Sequence, residues 1–180
     1  MDGQNRLLLL GLLLAGAGGL AWWYFSNQSS GASDDAVGSV VDTVKNALEP
    51  RGIRNNNPGN IRISDNAWQG KVTPNTDGTF EQFDTMVNGV RALAITLSNY
   101  QRLYGIDTVR GLITRWSATD QDAYVADVAS ALGVDPDDTI SVTDPATLTA
   151  LVNAIITQEN GVVGALLVSS SDVDAGVALA

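Results

Sequence analysis

The stretch RGIRNNNPGNIR, Arg51 to Arg62, most constrains what this chain can fold into. Twelve residues carry three arginines, four asparagines, two glycines and a proline, with only Ile53 and Ile61 to bury. Pro58 removes a backbone donor and pushes Asn57 out of the helical region. Asparagine side chains bond the nearby backbone and tolerate left-handed conformations, and Gly59 permits them too. The segment therefore reads as a shaped bend tied up by its own amides. Its dense set of fixed donors suits a polar ligand such as a glycan. An ordered turn between a helix and a sheet is the equally weighted alternative.

The residue types available limit the chemistry. Cysteine and histidine are both absent. Disulfides, thiolate nucleophiles, Ser-His pairs and His-based zinc sites are thereby excluded, so any catalysis falls to carboxylates. No cofactor and no metal is expected. Charge is divided unevenly along the chain. Residues 1–115 hold all ten Lys and Arg and ten Asp and Glu, while residues 116–180 hold the other ten acids and no base. A chain of net charge −10 is a poor binder of DNA phosphates, so nucleic acid is not an expected partner.

Leu7 to Phe25 runs nineteen residues without a charge. As a helix it would be about 28 Å long, near the thickness of a bilayer's hydrocarbon core. Trp22, Trp23 and Tyr24 stand at its end, where an interfacial aromatic belt is expected. Residues 1–25 are therefore expected to form a single-pass membrane anchor with lipid as partner. The competing reading is a cleavable signal peptide with a cut near Ala15-Gly16-Ala17. Residues 26–33 read as a flexible linker, 34–168 as one domain and 169–180 as a mobile tail.

Within that domain, apolar residues at Val37, Val40, Val41, Val44 and Leu48 have helical spacing, which Pro50 ends. After the bend, turn clusters separate three strand-like pieces, Asn60–Ile63, Trp68–Val72 and Thr79–Phe83. They predict a small antiparallel sheet. Helices are then predicted from Asp84 to about Tyr104, from Asp107 to Trp116, from Thr119 or Asp120 to Leu132, and from Asp144-Pro145 to Gln158 or Glu159. The expected class is α+β, predominantly helical, with a small antiparallel sheet.

RGIRNNNPGNIR, followed by Trp68-Gln69-Gly70, Phe80 and Phe83, Gly89-Val90-Arg91-Ala92-Leu93, Tyr100, Thr108, Ile113 and Trp116, resembles the lysozyme-like virion proteins of bacteriophages and prophages. The resemblance spans about Arg51 to Gly161 and closes on Gln158-Glu159-Asn160-Gly161. It departs from the family's pattern at Ser117–Asp122, where Asp120-Gln121 stands in place of a Glu-Asn pair. It implies a lysozyme-like fold and a virion protein that meets other virion proteins. It also implies action on peptidoglycan strands of the host cell envelope during entry, as a lytic transglycosylase or muramidase. A non-enzymatic structural membrane protein of the particle, keeping the same scaffold, is the alternative.

Glycan cleavage needs a carboxylic acid that can protonate the leaving oxygen. Glu49, at a helix end just before the bend, and Glu159, at the end of the last helix, are the two candidates. Arg54, Asn55, Asn56, Asn57 and Asn60 are the expected ligand contacts, with Trp68 as an exposed ring to stack on sugar. Trp116 and Tyr124 could stack likewise or belong to the core. Glu81, beside Phe80 and near Phe83, is expected to face solvent if those rings point inward.

Overall fold

In the computed structural model, residues 49–180 are described, apart from 119 and 120. The helices among them are α1 Arg51–Arg54, α2 Met86–Tyr104, α3 Val109–Trp116, α4 Gln121–Leu132, α5 Pro145–Ala165 and α6 Ser170–Ala178. Local chemistry sets several of these ends. The Thr85, Thr108, Asp144 and Ser169 side chains each accept from the backbone N–H three residues on, at Asn88, Gly111, Thr147 and Asp172. Pro145 follows Asp144 at the first helical position, where its missing N–H costs nothing. Gly105, left-handed at φ 66°, closes α2.

α2 runs through the middle of the core. Its Val90, Leu93, Ala94 and Leu97 are fully buried, together with Val109, Leu112 and Ile113 of α3, Val128 of α4, and Leu151, Val152 and Ile155 of α5. Each such Val, Leu or Ile side chain contributes about 1.5–3 kcal/mol relative to exposure, and together they hold the helices as one layered body. Gly176 of α6 lies directly on Val90. A Cβ added there would stand 2.6 Å from the Val90 side chain, so α6 approaches α2 more closely than any larger residue would allow.

Two expectations are corrected here. Between α1 and α2 no sheet forms among the described residues. Only isolated antiparallel bridges occur, Arg62 with Phe80 and Lys71 with Phe83, and a third joins Thr108 to Thr139. A few backbone bonds join the pieces, Glu81 N to Ile61 O, Ile63 N to Thr79 O and Val72 N to Gln82 O, and asparagine amides supply the rest. Asn57 Nδ2 donates to the carbonyls of Ile61 and Glu81, Asn56 Nδ2 to that of Phe83 and Asn75 Nδ2 to that of Phe80. The Glu81, Phe83 and Phe80 carbonyls would otherwise need strand partners, while that of Ile61 also accepts from Glu81 N. The expected α+β class therefore gives way to a helical domain with an amide-stitched loop region. Residues 169–180, expected to be a mobile tail, instead carry α6 with Val173 buried. Finally, no helix among the described residues is long and apolar enough to cross a membrane, and the expected anchor over residues 7–25 lies outside them. The helix expected before Pro50 also lies outside the described residues.

Candidate functional site

The bend is built inward. Asn57 is fully buried; its Oδ1 accepts from Ile61 N at 2.9 Å while its amide donates at 2.9 Å to both Ile61 O and Glu81 O. Asn55, also buried, donates to Asp77 Oδ2 at 2.8 Å and accepts from Gln82 Nε2 at 3.1 Å. Asn56 and Asn60 hold positive φ, 49° and 51°, which asparagine tolerates better than most residues. So Asn55, Asn56 and Asn57, expected to contact ligand, have amides committed to the protein's own groups. Arg54 is exposed and donates to the Glu49 carbonyl at 2.5 Å. Trp68 is half-buried with its Nε1 enclosed, rather than the exposed platform expected.

Asn60 is the exception that faces a carboxyl. Its Nδ2 donates to Glu159 Oε2 at 2.9 Å, joining residues 99 positions apart in the chain. Glu159 Oε1 accepts from Trp116 Nε1 and from Tyr124 OH, both at 3.1 Å. One half-buried carboxyl is thus held by the bend, by the last residue of α3 and by α4. Burial first, and the adjoining Glu159 carboxyl second, push the Tyr124 phenol far above its usual range. Tyr124 therefore keeps its proton and donates.

The neighbouring residue completes the frame. Asn160, buried, donates to Pro58 O at 2.7 Å and Ile156 O at 2.9 Å. A Cβ on Gly52 would stand 2.6 Å from Asn160 Oδ1 and 2.8 Å from Asn60 Oδ1, so α1 must present a glycine there. Gly161 then breaks α5 with φ 67° and ψ 168°, immediately beyond the Glu159-Asn160 pair. Of the two carboxyls that the sequence proposes, Glu159 meets the bend through its side chain. Glu49 meets it through its backbone carbonyl, bonded by Arg54.

Two further carboxylates anchor the loop region. Asp77 binds Arg51 through both oxygens, at 2.6 and 2.7 Å, and accepts from the backbone of Thr79 and Phe80. The Arg51 guanidinium chiefly, with Asn55 and the two backbone donors, holds the Asp77 carboxyl far below the usual carboxylate range. Glu81, expected to face solvent, is fully buried; its Oε1 accepts from Lys71 Nζ at 3.0 Å and from Ser64 N at 2.9 Å. The residues that sequence reasoning left undecided, Trp116 and Tyr124, turn out to hold the candidate carboxyl. No local pattern marks them, because 43 and 35 positions separate them from Glu159.

The class of protein that this fold and site define is a helical domain whose amide-tied bend presents one half-buried carboxyl. The chain is 36% identical over 117 residues to Protein P5 of Pseudoalteromonas phage PM2, a match taking in 62% of this chain and 71% of that protein. The chain belongs to the family of that bacteriophage protein. No protein-family model matches it. The established relationship is thus with a phage protein, and kinship with lysozymes is not part of it.

Proposed function

We propose that this protein is a component of a bacteriophage particle that cleaves peptidoglycan of the host cell wall, with Glu159 delivering the proton to the departing glycosidic oxygen. The observation that supports this reading most is the convergence on Glu159 of Asn60, Trp116 and Tyr124, from three separate segments. A carboxyl fixed in orientation and partly shielded from water suits general acid catalysis. For Glu159 to deliver a proton it must first take one up from solvent on an oxygen that Asn60, or Trp116 and Tyr124, release. The clasp contains a single carboxyl, which favours a lytic-transglycosylase route over a two-carboxylate muramidase route. Other particle proteins are its proposed partners.

Zymography on the full chain tests this. Wild type is expected to clear a peptidoglycan gel, Glu159→Gln to leave it opaque, and Glu49→Gln to clear it like wild type. Failure of the wild type to clear peptidoglycan from any host would end the enzyme reading. One observation favours a second reading, a non-enzymatic particle component. Both oxygens of Glu159 are engaged by side chains of the fold, and three of the bend's asparagines are committed internally. Under that reading the wild type clears nothing, and Glu159→Gln alters only stability.

A further inference from the structure

Two of the groups that hold Glu159 each lie next to an arginine laid on an aromatic ring. Arg62, two residues after Asn60, has its guanidinium 5.6 Å from the centre of the Phe80 ring, which it shares with Arg51 at 4.7 Å. Arg115, one residue before Trp116, sits 3.8 Å from the centre of Tyr104 and 4.9 Å from that of Tyr100. Both arginines are exposed. Among the described residues Arg51, Lys71 and Arg110 are neutralised by Asp77, Glu81 and Asp137, whereas Arg62 and Arg115, like Arg91 and Arg102, form no ion pair. Of these only Arg62 and Arg115 combine an aromatic ring with a chain neighbour that holds Glu159. Unneutralised guanidiniums are conspicuous in a chain of net charge −10. A guanidinium attracted to a ring through the ring's π-system is held in place without using up its N–H donors, which stay available to a ligand. Those donors can grip a carboxylate through two parallel hydrogen bonds.

We infer that Arg62 on Phe80 and Arg115 on Tyr104 and Tyr100 are two stations for carboxylates carried by the polymer bound at Glu159. This rests on the glycan-cleaving reading and names its substrate class: a polysaccharide with acidic side groups, as the peptide stems of peptidoglycan supply, in preference to a neutral glycan. The stations adjoin, in the chain, the residues that clasp Glu159. A polymer crossing that carboxyl, rather than a second copy of this acidic chain, is the occupant they fit.

The test uses the full chain with Glu159→Gln, so that polymer is not consumed, sedimented with purified peptidoglycan sacculi and in parallel with chitin. Adding Arg62→Gln or Arg115→Gln is expected to weaken binding to sacculi by about five- to tenfold each. Both together should weaken it further, added salt should weaken it in the parent, and chitin binding should not move. Arginine-to-lysine variants should recover part of the affinity, since charge returns without the fork. Sedimentation with sacculi unchanged by the double substitution overturns the stations, even where wild type clears a gel. So does an equal loss on chitin. Salt-sensitive self-association without polymer, abolished by the same substitutions, overturns them in favour of a second copy. Arginine-dependent binding to sacculi without any gel clearing would remove the reaction and keep the stations.

Discussion

Gly52 shows how tightly single residues are specified here. A methyl group at Gly52 would meet Asn160 Oδ1 at 2.6 Å, Asn60 Oδ1 at 2.8 Å and Asn57 O at 2.9 Å, none of which can retreat without breaking the bend. Gly52→Ala is therefore expected to lower stability by roughly 2–4 kcal/mol, read as a fall in Tm by calorimetry. Asp77 sets a pH limit. Its folded-state pKa lies below its unfolded value, so the stabilisation is present above the unfolded pKa, about 3.9, and is lost as pH falls through and below it. Asp77→Asn should lower stability at neutral pH and flatten the acid limb of a denaturation profile. An acid limb unchanged in the variant would show that other carboxylates govern it.

Among elements, the loop region between α1 and α2 is the one for which sequence patterning gives the wrong class. Alternation and turn clusters over residues 60–83 point to a sheet, yet the carbonyls find side-chain amides from Asn56, Asn57 and Asn75. A ladder is one way to satisfy backbone groups, and a dense supply of asparagine is another. Nor can alternation tell that Glu81 points inward, because Lys71, ten positions earlier, arrives to neutralise it. Lys71→Met would leave that fully buried carboxylate without its cation, and about 3–5 kcal/mol of destabilisation is expected in urea denaturation. Helix ends were more legible. Asp144-Pro145 marks the start of α5 in sequence, and the Asp144 side chain accepts from Thr147 N at 2.9 Å. Asp144→Ala should cost about 1 kcal/mol, with faster amide exchange confined to the first turn of α5.

At the scale of the molecule, α6 closes a core that would otherwise open. Val173 is buried and Gly176 lies against Val90, a residue with no exposed surface. Deleting residues 169–180 should lower Tm markedly and broaden the transition. A sharp, unshifted transition would mean that α6 is dispensable. The same deletion leaves every partner of Glu159 in place, so a loss of gel clearing with it would report on the fold and not on the site.

The sequence by itself determined most helix positions, the restriction of any acid–base chemistry to carboxylates, and the existence of a shaped bend at RNNNPGN. Those follow from local rules: periodic apolar residues, capping side chains, a proline, and the absence of cysteine and histidine. Only the tertiary structure decided that the bend's asparagines turn inward to stitch loops whose backbone bonds are too few for a sheet, that Glu81 is interior, and that Glu159 is the carboxyl clasped by Asn60, Trp116 and Tyr124. Each depends on contacts between residues distant in the chain, 99 positions apart for Asn60 and Glu159. Such contacts are fixed by which faces pack together, and local spacing does not encode that.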